Sequence, residues 1–294
     1  MRVTQQMMHQ NSVRQMNQNL SRFEKLNNQV ASGKTLSRPS DNPNGISKAM
    51  NLKSTIAANE QFERNVDEAK LWLDESDQTI NQVVNVMQRA RELAVKGAND
   101  TLSQSDREAI AIEVEQLNEQ VRQFANTKVN DNYLFNGTKT DQAPFPNPDS
   151  YLTNSFDNSE KLITIGENVT VKVNITADQM FGNIEDEGNL FKTLSDLANG
   201  LRTGENTVSL ETIDKSIDRL LGAAAEVGAR TNRVESIENR IQDSMLDLKA
   251  RLSKIEDIDY AEAIIKLKSE ESVYQASLAS SAKIIQPSLM DFLR

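Results

Sequence analysis

The chain has no cysteine and a single histidine, His9. Without thiols there is no disulfide framework and no cysteine nucleophile, and one histidine excludes a Cys/His zinc site within one chain. A serine–histidine–aspartate triad would have to use His9. That residue sits in a stretch of Gln, Asn and Met with no rigid strand or turn to hold it, so an exposed polar histidine is the better reading. Aromatic residues make up only 5% of the chain, with one tryptophan, Trp72. For 294 residues, of which 37% are apolar, that is thin for one globular core and suits long helices sharing narrow seams. No run of about eighteen apolar residues exists, so no membrane-spanning helix is expected. Residues 4–19 are too rich in Gln and Asn for a cleaved secretion signal, and on those grounds alone the protein reads as cytoplasmic.

Charge is plentiful but unevenly spread, with a formal net charge of −10. Residues 1–60 hold eight Lys and Arg against three Asp and Glu, residues 61–214 hold thirteen against twenty-seven, and residues 215–294 hold twelve against thirteen. The acidic middle keeps the chain soluble and repels nucleic acid. The nearly balanced ends can pack against copies of themselves without large repulsion.

Both ends carry an apolar stripe at helical spacing. Val13, Met16, Leu20, Phe23 and Val30 follow three- and four-residue steps, with Asn27 in the missing slot. Ile264, Leu267, Tyr274, Leu278, Ile285, Leu289 and Phe292 form the corresponding stripe at the other end, with Glu271 and Ser281 in its gaps. One apolar edge on a helix needs a partner. Five buried seam residues would contribute roughly 1.5–3 kcal/mol each, whereas ordering thirty residues costs on the order of 1–2 kcal/mol apiece. Both termini are therefore expected to be mobile in the free monomer and to become helical on assembly.

Between the stripes the pattern predicts helices, a β insertion, then helices. Gly33 stops the first helix, and the loop Ser37 to Gly45 contains two prolines. Phe62, Val66, Ala69, Leu73, Ile80, Val84, Met87 and Ala94 mark a long helix ending at Gly97, followed by a partner carrying Ile110, Val114, Leu117, Val121 and Phe124. Asn136-Gly137 predicts a hairpin turn, Pro144, Pro146 and Pro148 an exposed linker, and Gly166-Glu167-Asn168 a second hairpin. Helix returns from Leu190 and again from about Thr212, with Val234, Ile237, Ile241, Met245, Leu248, Leu252 and Ile255 on its seam. A break near Asp257 to Asp259 precedes the final helix, which Pro287 should kink or end. The fold class is thus mainly α, a long antiparallel helical bundle or coiled coil built from the two ends with a small β-rich insertion. Its expected segments are 1–45, 46–129, 130–189, 190–257 and 258–294.

Nothing in the chain supports catalysis, a cofactor or a metal. Glu113 and Glu115 stand two apart on a helix and point away from one another. Glu185-Asp186-Glu187 lacks the spacing of a calcium loop, and Gly33-Lys34-Thr35 lacks the upstream glycine and strand of a phosphate loop.

Four segments resemble the flagellin superfamily, and within it the branch found at the junction of hook and filament. They are Met1-Arg2-Val3-Thr4-Gln5, Ser32 to Pro43 with its Arg38-Pro39-Ser40-Asp41-Asn42-Pro43 motif, Tyr133-Leu134-Phe135-Asn136-Gly137-Thr138, and Gln286 to Arg294. The resemblance covers roughly residues 1–140 and 190–294. It implies export through the flagellar type III channel without a cleaved signal, which would overturn the cytoplasmic reading. It also implies terminal helices in the inner layer of a tubular assembly, with contacts to copies of the chain, to hook-associated protein 1, to flagellin and to an export chaperone. An adaptor between hook and filament is the expected function. The alternatives are a short filament flagellin, an intracellular coiled-coil scaffold and a type III tip protein.

Overall fold

The structure is a computed structural model, and it describes residues 2–98, 102–147, 156–183, 188–204 and 210–285. Among these, helices dominate: α1 (Arg2–Ser32), α2 (Pro43–Gly97), α3 (Gln104–Ala125), α4 (Ala177–Phe181), α5 (Leu190–Thr203), α6 (Leu210–Glu256) and α7 (Tyr260–Ile285). Strands are confined to two antiparallel pairs, β1 (Lys128–Val129) with β2 (Asn132–Tyr133) and β3 (Leu162–Gly166) with β4 (Val169–Lys172). No helix among the described residues is long and apolar enough to cross a membrane. The chain divides into two compact units, Met1–Ala58 with Ser244–Arg294, and Asn59–Asp243.

The 59–243 unit owns a complete core. The predicted α2 seam is buried at Val66, Ala69, Leu73, Ile80, Val84, Met87 and Ala94, while Phe62 is half-buried. On α3, Ile110, Val114 and Val121 are buried, and α6 contributes Val234, Ile237 and Ile241. Helix α3 starts at a capping box in which the Ser103 hydroxyl accepts from the Asp106 N–H and the Asp106 carboxylate accepts from the Ser103 N–H. Arg202 on α5 ties α3 by ion pairs to Glu108 and Glu115, and Lys70 on α2 meets Glu238 on α6 at 2.9 Å.

The second predicted hairpin is present, with β3 and β4 joined through Glu167 and Asn168, the latter in the left-handed region at φ 59°. Its first strand lies against α2, where Asn65 donates to the Thr164 carbonyl and Lys161 sits 3.7 Å from the centre of the Trp72 ring. The first hairpin is displaced from its predicted place. Its turn is Asn130-Asp131, both at positive φ as a tight primed turn requires, not Asn136-Gly137. Asn136 is instead buried: its amide donates to the Lys139 and Gln142 carbonyls, and its side-chain oxygen accepts from the Asp157 N–H. The predicted exposed linker is also corrected at its start. Phe145 is 2% exposed, in a ring cluster with Phe156, Phe181 and Phe191, and Phe135 meets Phe181 edge-on. Pro144 is buried beside it, Pro146 is exposed, and Pro148 lies outside the described residues, as does Glu185-Asp186-Glu187.

The other unit is built on the pairing of α1 with α7. Each end thus has the other as its partner, which the balance for an isolated helix did not include. Helix α1 ends and α7 begins at one joint. Gly33 ends α1 at φ 69°, a left-handed conformation that favours glycine, and a β-carbon there would lie 2.5 Å from the exposed Tyr260 hydroxyl, which would have to move. The following residues pair with the break between α6 and α7: the Thr35 N–H donates to the Glu256 carbonyl at 2.7 Å, and the Ile258 N–H donates to the Gly33 carbonyl at 3.1 Å. Helix α7 then begins on Asp259, whose carboxylate accepts from the Ala261 and Glu262 N–H groups. Helix α2 begins the same way, with the Asn42 side chain accepting from the Gly45 N–H and Pro43 in the first turn.

Candidate assembly interface

The antiparallel contact of α1 with α7 has a mixed seam. At its centre Phe23 stacks on Tyr274 with ring centres 6.3 Å apart and planes 9° from parallel. One turn away Asn19, 9% exposed, donates to the Ser277 hydroxyl at 2.6 Å. Further along, the Ser12 and Ser281 hydroxyls share a hydrogen bond of 2.7 Å. Arg22 approaches Glu270 at 3.6 Å. The side chains turned inward are Ser12, Met16, Asn19, Phe23, Leu26 and Val30 on α1, and Ala263, Leu267, Glu270, Tyr274, Ser277 and Ser281 on α7. Both sets step by four and three, as two helices in antiparallel register require.

Sequence reasoning anticipated part of this seam. Met16, Phe23 and Val30, and Leu267 and Tyr274 opposite them, are half-buried in the pair, with Val13 and Leu20 half-buried at its flank. Ile264 and Leu278 are on the solvent side, 47% and 42% exposed. Ile285 is the last residue of α7, and Leu289 and Phe292 lie outside the described residues. The inner polar positions Ser12, Asn19 and Ser277 were missed because the stripe was traced by apolarity alone, while Ser281 had been placed on it only as a gap. Continuing the four-and-three step through polar residues would have found them.

The outer side of α7 is unusually apolar for a solvated surface. Tyr260, Ile264, Ile265, Val273 and Leu278 are between 42% and 70% exposed, with Ile265 the most open. Beside the Ser12–Ser281 contact, an open groove of about 490 Å³ is lined by Met8, Gln15, Val273 and Ala276, among others. Adjacent Ile264 and Ile265 cannot both face one partner helix, a signal present in the sequence that the single-stripe reading passed over. No group of three or more His, Asp or Glu among the described residues is placed to hold a metal. The geometry is that of a helix pair that satisfies half its apolar edge internally and leaves the other half open.

Comparison with known proteins places this arrangement. Residues 3–140 match the bacterial flagellin N-terminal helical region, and residues 210–293 match the bacterial flagellin C-terminal helical region, together well over half the chain. The chain belongs to the flagellin family. Flagellar hook-associated protein 3 of Salmonella typhimurium is 28% identical to this flagellin-family chain, over 94% of it and 95% of the relative. The Escherichia coli protein of the same name is 27% identical over 94% and 95%. A flagellar filament 30.7 kDa core protein of Treponema maltophilum matches more weakly, at 24% over 86% and 85%. Among solved structures, a Vibrio parahaemolyticus protein assigned as flagellar hook-associated shares the fold at a TM-score of 0.66, with 22% identity over 74% of this chain and 100% of that one. The flagellar junction protein of Legionella pneumophila does so at 0.58, with 19% identity over 72% and 100%.

Proposed function

We propose that this chain is a structural adaptor of the bacterial flagellum that joins the hook to the flagellin filament, and that it has no enzymatic role. The observation that carries the assembly part is the open apolar side of α7, which a lone soluble subunit would not be expected to leave to water. The junction reading is supported by near-full-length similarity to hook-associated protein 3, at higher identity than to the filament core protein. In the assembled tube, Val13 and Leu20 at the flank of α1, and Ile264 and Leu278 on α7, contact neighbouring copies. Leu289 and Phe292 extend that contact, while Met16, Phe23, Val30, Leu267 and Tyr274 hold the pair itself. The neighbours are hook-associated protein 1 on the hook side and flagellin on the filament side. The chain leaves the cell through the flagellar type III channel, and an export chaperone covers the C-terminal helix before export. Segments 1–45 and 258–294 assemble, 46–129 and 190–257 form the rod, and 130–189 faces outward.

Deletion of the gene tests the reading. Cells should retain hooks, lose filaments and spill flagellin into the medium; normal filaments would refute it. A short filament flagellin is separated by the purified protein, which would then grow long filaments unaided.

A further inference from the structure

The joint where α1 and α6 both end holds a charge cluster that the helix pairing does not need. Glu256, the last residue of α6, is 7% exposed, and a single carboxylate oxygen accepts from Lys53 on α2 at 2.7 Å and from Lys34 after α1 at 2.9 Å. Burial disfavours the Glu256 charge, but the hydrogen bonds from Lys53 and Lys34 outweigh it and hold the carboxyl below its ordinary range. Asp257 adds its charge beside Lys34. Three separate stretches of chain therefore converge on one oxygen. The backbone link across the same place is short: two N–H donors, with the Thr35 hydroxyl also donating to the Ile255 and Glu256 carbonyls. Gln29 from the last turn of α1 closes it by donating to the Thr35 carbonyl at 2.7 Å.

A double break at one level is a place where the α1–α7 pair can swing against the ends of α2 and α6 in the same unit. The hydrogen bonds of the β-bridge hold the two breaks together through one bridged residue pair, Lys34 with Asp257. Lys34 follows α1, whereas Glu256 and Lys53 belong to α6 and α2, so within the cluster the Lys34–Glu256 ion pair ties the swinging element to the fixed one, and Lys53 holds that carboxylate in place. We propose that Lys34, Glu256 and Lys53 form an electrostatic latch that sets the direction of the α1–α7 pair, and that opening this latch turns the double break into a hinge. A subunit meeting two different neighbours has use for such a joint, but the latch itself is a property of the free chain.

The chain has no cysteine, so paired spin labels can be placed without background. Labels at exposed Gln18→Cys on α1 and Ser47→Cys on α2 read the joint, and labels at Gln18→Cys and Gln275→Cys read the helix pair. In the otherwise unaltered chain both distances should be single and narrow. Glu256→Gln should cost the first its single narrow distance and leave the second unchanged. The reversed cluster, Glu256→Lys with Lys34→Glu and Lys53→Glu, should restore the first. An unchanged first distance in Glu256→Gln overturns the latch, as does a broad one before any change. Broadening of both distances also overturns it, since the cluster would then hold the helices together and not their direction. None of these outcomes depends on the junction role, which the gene deletion tests separately.

Discussion

The rings of the 59–243 unit and those of the terminal helix pair are used in opposite ways. Phe135, Phe145, Phe181 and Phe191 meet one another almost fully buried, so that unit closes its core from its own residues. Phe23 and Tyr274 stack only half-buried, flanked by a buried asparagine and two serine contacts, while isoleucines stand open on the outer side of α7. The first region is finished by folding. The second leaves the outer apolar side of α7 open, the surface proposed above to meet neighbouring copies. An apolar seam of the same length would hold the pair more tightly but would also accept shifted registers, whereas a buried Asn–Ser contact favours one.

The contrast predicts unequal costs for the same change. Phe181→Ala leaves a hole in a closed ring cluster and should lower unfolding stability by about 3–5 kcal/mol. Phe23→Ala removes a half-exposed stack and should cost roughly 1–2 kcal/mol. Denaturant unfolding of both variants checks this, and equal losses would erase the distinction between the regions. A smaller effect is expected at Asn19, whose hydrogen bond contributes about 0.5–1.5 kcal/mol. Asn19→Leu should hold stability near that of the parent yet loosen register. Cysteines at Ser12 and Ser281 should then crosslink less completely than in the parent seam, and an undiminished yield would show that Asn19 does not set it.

The smallest effect concerns the loop between α1 and α2. The Lys25 ammonium, and after it the Arg38 N–H, hold the Asp41 carboxyl at about 2 against an ordinary 3.8. Because the folded value is the lower one, this contact contributes in full above pH 3.8 and is lost as pH falls toward 2. A carbon-detected titration of Asp41 with a midpoint near 2, moving upward in Lys25→Met, is the expected result. A midpoint at 3.8 in the parent would mean the loop is not held there.

Much of this was legible because helical spacing is a strong signal over long stretches. The α2, α3 and α6 seams follow from residue order, as do the stop at Gly33 and the turn at Gly166 to Asn168. The misplaced hairpin has a physical cause: Asn136-Gly137 is the commoner turn pair, but Asn136 is needed inside, where its amide links three backbone groups. Phe145 was hidden by the prolines around it, which signal an irregular backbone but say nothing about which side faces inward. The polar positions of the inner seam of α1 and α7 escaped for a third reason. Polar residues serve there as contacts, and a search for apolar periodicity does not separate the exposed Ile264 and Leu278 from the residues turned into the pair.

The central claim is that the outer side of α7 is reserved for a neighbouring subunit. Ile265, 70% exposed, is its most open residue. Replacing it, as Ile265→Asp, should leave the unfolding curve of the purified chain where it was and abolish filament attachment in cells that still build hooks. Filaments attached at normal frequency on that variant would contradict the account.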